Sequence, residues 1–304
     1  MLKSKTFDFS RRTAQAARMK ILQDDIHIPA PNDWDLAATV FSNAESAGPI
    51  VMISAAAGVP HYFYANFAKH LVESGAHAVI TYDYRGMGQS AGDKARWPEL
   101  RMKDWALLDF PTVAEYLTQR FPNREFVGLG HSYGGQALGL CGISEQFARY
   151  ATVATMSGYW RDLGNPYVLW FKTQVVGRLL PKLLGHVPKA LSVGEAFPGT
   201  IMLDWSNWIS QPDYFFSDPD LPETARYEDV RLPLLSVGLE DDPWGNEKSI
   251  GTFMPRYTNA DLRQHWIAPT SSGEIGHLGY FRKKHKTDHW SVVTDFVLSE
   301  KWPA

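Results

Sequence analysis

Gly130-His131-Ser132-Tyr133-Gly134-Gly135 is the stretch whose reading decides the fold. It carries a G-x-S-x-G pattern between a short apolar run, Glu125 to Leu129, and a small-residue helical stretch, Gln136 to Gln146. Strand, sharp turn and helix are the context in which this pattern holds a serine hydroxyl above the end of a sheet. The turn puts the serine backbone in a strained conformation, and the flanking glycines let the following helix approach the preceding strand.

Working outward, short strand-like and helix-like segments alternate on both sides. Asp25–Ile28 and Leu36–Phe41 read as two early strands around a Pro-Asn-Asp turn. Ile50–Ser54 and Ala78–Tyr82 are fully apolar strands, separated by an amphipathic helix from Tyr64 to Ser74 that Gly75 stops. Asp104–Arg120 reads as a helix kinked at Pro111, followed by the strand Phe126–Leu129, the Ser132 turn and its helix, then a strand over Thr152–Met156. Leu232–Val237 and Leu262–Ile267 are two more strands. Buried apolar strands spaced by helices predict a mostly parallel central sheet with helices on both faces.

The alternation breaks over 158–230. This stretch is rich in aromatics, including Trp160, Trp170, Trp205, Trp208, Tyr214 and Phe215. Asn165-Pro166 marks a helix start. Val168, Phe171, Val175, Leu179 and Leu183 then recur at helical spacing, with Pro181 kinking or restarting the helix. We expect 158–230 to be a helical cap inserted before the acid-bearing strand, its aromatics mostly forming its own core and its seat on the sheet. The expected core is then 24–157 with 231–304, and residues 1–23 form a basic N-terminal arm.

Bulk properties narrow the function. The 304 residues carry a net charge of −3, which gives no footprint for nucleic acid. The one cysteine, Cys141, provides neither a disulfide nor metal-ligand spacing. No apolar run approaches the roughly 20 residues that a membrane helix needs. The basic start lacks the apolar stretch of a secretory signal. These features lead us to expect a cytoplasmic protein without metal or cofactor. They leave the oligomeric state open.

A serine hydroxyl needs a base and a group that orients the base. The strand over 232–237 leads into Gly238-Leu239-Glu240-Asp241-Asp242-Pro243, which places Asp241 or Asp242 at the same sheet edge as Ser132. His277, between Gly276 and Leu278-Gly279 after the last strand, is the candidate base. The order Ser, Asp, His separates this arrangement from other serine hydrolases. His285 and His289 fall in a basic stretch and are expected to face solvent, whereas His131 is expected to pack beneath the turn. Oxyanion donors are expected from the amide after the nucleophile, Tyr133, and from the small-residue loop after Ile50–Ser54, at Ala57 or Ala56.

With these residues in place the chain resembles the α/β-hydrolase superfamily from about residue 24 onward. The matching motifs are Asp-Tyr-Arg-Gly-Met-Gly-Gln-Ser (83–90), the Gly-His-Ser-Tyr-Gly-Gly elbow, the Asp-Asp-Pro loop and the Gly-His loop. More narrowly, Ala-Ala-Ala-Gly-Val-Pro (55–60), Ser-Gly-Tyr-Trp-Arg (157–161) and Ile-Gly-His-Leu-Gly-Tyr-Phe-Arg (275–282) are similar to a group of predicted serine hydrolases with a helical cap. The resemblance implies the α/β-hydrolase fold, the Ser-His-Asp chemistry and Asp242 as the acid; it implies no substrate, because this fold hosts many reactions. We expect a serine hydrolase acting on a carboxylic ester or related small-molecule acyl compound. Thioesterase, amidase or peptidase, and acyltransferase activities use the same three residues. A ligand-binding protein without catalysis, or a lipase acting at a membrane surface, would be readings of a different kind.

Overall fold

The computed structural model describes residues 21–189 and 195–303. The expected basic arm lies almost wholly outside the described residues, and the first strand already begins at Leu22.

All eight expected strands are present: β1 (Leu22–Ala30), β2 (Trp34–Ser42), β3 (Ile50–Ser54), β4 (Ala78–Tyr82), β5 (Phe126–His131), β6 (Tyr150–Val153), β7 (Pro233–Leu239) and β8 (Asp261–Ile267). They form one sheet in the order β1-β2-β4-β3-β5-β6-β7-β8. β2 pairs antiparallel with β1 and β4, and every later pairing is parallel. The parallel strands β3 and β4 bury every residue, which is why they read as unbroken apolar runs rather than alternating ones. The expected strand over Thr152–Met156 sits earlier, because Ala154 turns to a φ of +53° and ends the ladder.

Helix α1 (Ala65–Glu73) packs against the C-terminal helix, and α2 (Phe110–Arg120) lies against β1 and β3. Helix α3 (Tyr133–Leu140) follows the elbow; it ends before the expected Gln146 because the chain turns through Gly142 at φ +71°. Pro111 does not interrupt its helix. It sits in the first turn of α2, directly after a wide π-type turn over Trp105–Asp109 that opens the ring of backbone ahead of the proline.

Among the described residues, 158–230 add no strand to the main sheet. Pro166 opens a continuous helical path that runs through Trp170, a π-type stretch over Phe171–Val176, and α4 (Gly177–Leu184). Here too the proline, Pro181, is carried after a widened turn. A short ribbon (His186–Val187 with Phe197–Pro198) precedes α5 (Gly199–Ile209), on which the path rests. Helices α6 (Glu247–Phe253) and α7 (Lys286–Ser299) complete the chain. No helix among the described residues is long and apolar enough to cross a membrane.

The 83–90 turn is tied down by two buried carboxylates. Asp83 accepts the amides of His61 at 2.7 Å and Gln89 at 2.9 Å, so it joins the loops after β3 and β4. Asp109 accepts the Arg85 amide at 2.8 Å and its Nε at 2.7 Å, with neither side chain more than 1% exposed. Burial pushes the Asp109 carboxyl upward, and the Arg85 charge and its hydrogen bonds oppose that rise.

Candidate active site

Because β3, β5, β7 and β8 run parallel, their C-terminal ends open on one edge of the sheet. The loop after β3, the Ser132 turn, the acidic turn and the histidine loop all meet there.

Ser132 adopts φ +52° and ψ −112°, a conformation L-residues rarely hold. Two glycines make the turn that imposes it. A Cβ on Gly130 would lie 2.3 Å from the Gly135 amide nitrogen, and one on Gly134 would lie 2.1 Å from the Ser54 carbonyl oxygen. The Ser132 amide is anchored to the Val153 carbonyl at 2.9 Å, so strain at the serine is held by the neighbouring strand.

Ser132 Oγ lies 3.1 Å from His277 Nε2, and His277 Nδ1 lies 2.7 Å from Asp242 Oδ2. Asp242 is buried, and its other oxygen accepts the Trp244 amide at 2.8 Å. Burial pushes the Asp242 carboxyl up, yet His277 and the amides of Trp244 and Gly245 outweigh it and hold the group below the ordinary carboxylate value. It is therefore ionised at neutral pH, and His277 donates to it through Nδ1, which leaves Nε2 to face the serine. The Trp244 ring lies 5.7 Å from the His277 ring and stacks on Trp205 of α5. Met156 Sδ is 3.9 Å from Ser132 Oγ.

Asp241 does not touch the imidazole. It accepts the amides of Ile275 at 2.7 Å and Gly276 at 2.9 Å, and so holds the backbone immediately before His277. The adjacent acids divide the work, one on the ring and one on the loop. Nothing in an Asp-Asp-Pro sequence distinguishes them, because the division depends on which way each side chain leaves the turn.

At the β3 loop, the Ala56 amide donates to Tyr64 Oη at 2.9 Å and is occupied. The Ala57 amide has no hydrogen-bond partner among the described residues, which favours Ala57 over Ala56 as a donor to substrate. Tyr133 is the first residue of α3, so its amide has no intrahelical acceptor.

His131 is more than packing. It is fully buried; its Nδ1 is 2.8 Å from Tyr64 Oη and its Nε2 is 2.8 Å from the His277 carbonyl. The carbonyl can only accept, so Nε2 carries the proton and the Tyr64 hydroxyl donates to Nδ1. The resulting chain runs from the Ala56 amide through Tyr64 and His131 to the His277 carbonyl. Sequence reading missed Tyr64 entirely, since 67 residues separate it from His131. His285 and His289, expected in solvent, are also buried; His285 Nδ1 meets Ser272 Oγ at 2.8 Å.

Burial, with the nearby His277 ring adding to it, pushes His131 down to about 3. The unfolded chain, with its histidine near 6.5, then binds the extra proton first. Stability supplied by neutral His131 is complete above about pH 6.5 and is lost as pH falls toward 3. Between pH 7.5 and 5 we expect this one residue to lower stability by about 2 kcal/mol. Urea unfolding of the parent and His131→Gln proteins at both pH values tests this: the pH dependence should flatten in the variant, and an unchanged difference would refute it.

The α/β hydrolase fold family model matches residues 48–207. No curated protein matches the chain. Among solved structures, a Pyrococcus furiosus esterase aligns over 93% of this chain and 94% of its own, with a TM-score of 0.59 and 14% identity. A Bacillus coagulans carboxyl esterase in complex with glycerol aligns over 91% and 98%, with a TM-score of 0.58 and 15% identity. The thioesterase domain of the curacin biosynthetic pathway aligns over 91% and 99%, with a TM-score of 0.54 and 10% identity. At such identities the likeness is one of fold, and it agrees with the family match over more than half of the sequence. The strand order, the strained serine after β5 and the matched family model together establish that the chain belongs to the α/β-hydrolase fold family.

Proposed function

We propose that this protein is a serine hydrolase cleaving a carboxylic ester or related acyl compound through an acyl-enzyme. The observation that carries the reading is the continuous contact from Asp242 to His277 Nδ1 and from His277 Nε2 to Ser132 Oγ, at 2.7 and 3.1 Å. Ser132 Oγ attacks the acyl carbon while its proton passes to His277 Nε2. The carbonyl π electrons move onto oxygen, and the Tyr133 and Ala57 amides stabilise that charge. The imidazolium, held by ionised Asp242, gives its proton to the leaving alkoxide as the carbon–oxygen bond breaks. Water, deprotonated by the same nitrogen, then attacks the acyl-enzyme and releases the acid and free Ser132. The Trp244–Trp205 stack and Met156 supply apolar surface beside the reacting atoms.

A fluorophosphonate probe tests the activated serine directly. The parent protein should be labelled on Ser132 and the Ser132→Ala protein not at all, with labelling slowed at least a thousandfold in His277→Ala. Absence of labelling in the parent protein would point instead to a binding protein on this fold.

A further inference from the structure

The helical path from Pro166 to Leu184 is amphipathic the wrong way round for a helix that serves only to cover a core. Its inward side carries Leu169, Thr173, Gly177 and Pro181, all buried. Gly177 is set so close to α5 that a Cβ there would lie 2.2 Å from the Met202 methyl, and Gln174 Nε2 donates to the Ser206 carbonyl at 2.6 Å. The large apolar residues point away. Tyr167 and Leu183 are 80% and 70% exposed, and Val168, Phe171, Leu179 and Leu184 each expose half their surface or more, with Trp170 and Val175 also in solvent. The expectation that the aromatics of 158–230 mostly pack inside fails for Tyr167, Trp170 and Phe171. Singly exposed apolar residues are ordinary; a row of eight along one path is not.

Charge accompanies this row. Between Asp162 and Glu195 the sequence has Lys172, Arg178, Lys182 and Lys189 and no carboxylate, in a chain whose net charge is −3. Lys172 and Lys182 are exposed, and Arg178 is turned toward Gln174 and Asn207. A second protein copy would bring the acidic remainder of this chain together with itself. An anionic sheet of lipid headgroups instead attracts this edge, as it does the basic residues before Ile21, and repels the acidic remainder of the chain. The composition agrees: Trp and Tyr sit well at headgroup depth, and lysines reach from an apolar face to phosphates. Lying flat, the 19-residue path is about 28 Å long.

We propose that the exposed face of 166–184 is a docking surface for an anionic lipid bilayer, with Phe171, Leu179 and Leu183 entering the interface and Lys172 and Lys182 meeting the headgroup phosphates. The path rests on α5, which itself carries Trp205 of the Trp205–Trp244 stack beside His277, so docking sets lipid against the layer that reaches the candidate site.

Co-sedimentation with phosphatidylcholine vesicles, with and without phosphatidylglycerol, tests the proposal. The full chain should bind the mixed vesicles and bind pure phosphatidylcholine weakly, with binding that falls as salt is added. Lys172→Gln with Lys182→Gln should weaken partitioning about thirtyfold. Phe171→Ser with Leu179→Ser and Leu183→Ser should abolish it. All five positions are exposed and outside the catalytic constellation, so hydrolysis of a soluble short ester serves as the folding control and should be unchanged. Failure of that hydrolysis in the parent protein would count against the proposed chemistry and leave the lipid measurement intact. The lipid proposal is overturned by absence of vesicle binding, by binding that ignores phosphatidylglycerol and the lysines, or by a parent dimer that the serine substitutions convert to monomer without any vesicle binding.

Discussion

Replacing Ser132 with alanine is expected to lower kcat for hydrolysis of a short p-nitrophenyl ester by on the order of 10⁵ to 10⁶, and His277→Ala by about as much. The two changes together should cost little more than either alone. The reason lies in the contact between Ser132 Oγ and His277 Nε2: on the proposed mechanism each group has no catalytic use without the other. On that mechanism, residual rate over water comes from the Tyr133 and Ala57 amides and from substrate placement, which neither substitution touches. Steady-state kinetics on the three variants decides the matter. Costs that multiplied, or a Ser132→Ala protein as fast as its parent, would be incompatible with attack by Ser132.

The second large effect is on stability. Arg85→Met is expected to destabilise the fold by about 3 to 5 kcal/mol, because it leaves the Asp109 carboxyl buried without its cation. Burial already pushes Asp109 upward, so in the variant the folded state holds a proton that the unfolded state has released. The sign follows directly: the folded parent already holds Asp109 at about 7, so the deficit of the variant relative to its parent grows as pH rises above about 7 and is larger at pH 8 than at pH 5. Adding Asp109→Leu removes the orphaned charge and should restore most of the loss. Urea midpoints at the two pH values test both statements. A deficit under about 1 kcal/mol for Arg85→Met alone would mean that the pair is not isolated from solvent as its burial indicates.

The sheet was legible because its signal is local. A strand buried on both faces, such as Ile50–Ser54, is written as consecutive apolar residues, and the order in which such runs alternate with helices constrains the topology. The elbow was legible for a similar reason, since the glycines it needs sit within five residues of Ser132. What failed to show was whatever depends on partners distant in sequence. His131, His285 and His289 have the same side chain as His277, and their burial is set by Tyr64, Ser272 and the packing of α7. The apolar spacing over 168–183 announced a helix correctly but carried no information on which side faces inward. That side is chosen by Gly177 and Thr173, whose small size admits α5.

The two hydrogen bonds from Asp241 to the amides of Ile275 and Gly276 have an architectural consequence. They fasten the chain just ahead of the imidazole to the acidic turn itself. The connection from Ile267 to Glu274 is thereby mechanically uncoupled from the candidate base. Apart from Ser272, which meets His285, it can be rebuilt by an engineer while the registration between acid and imidazole stays set by two neighbouring carboxylates on a single turn.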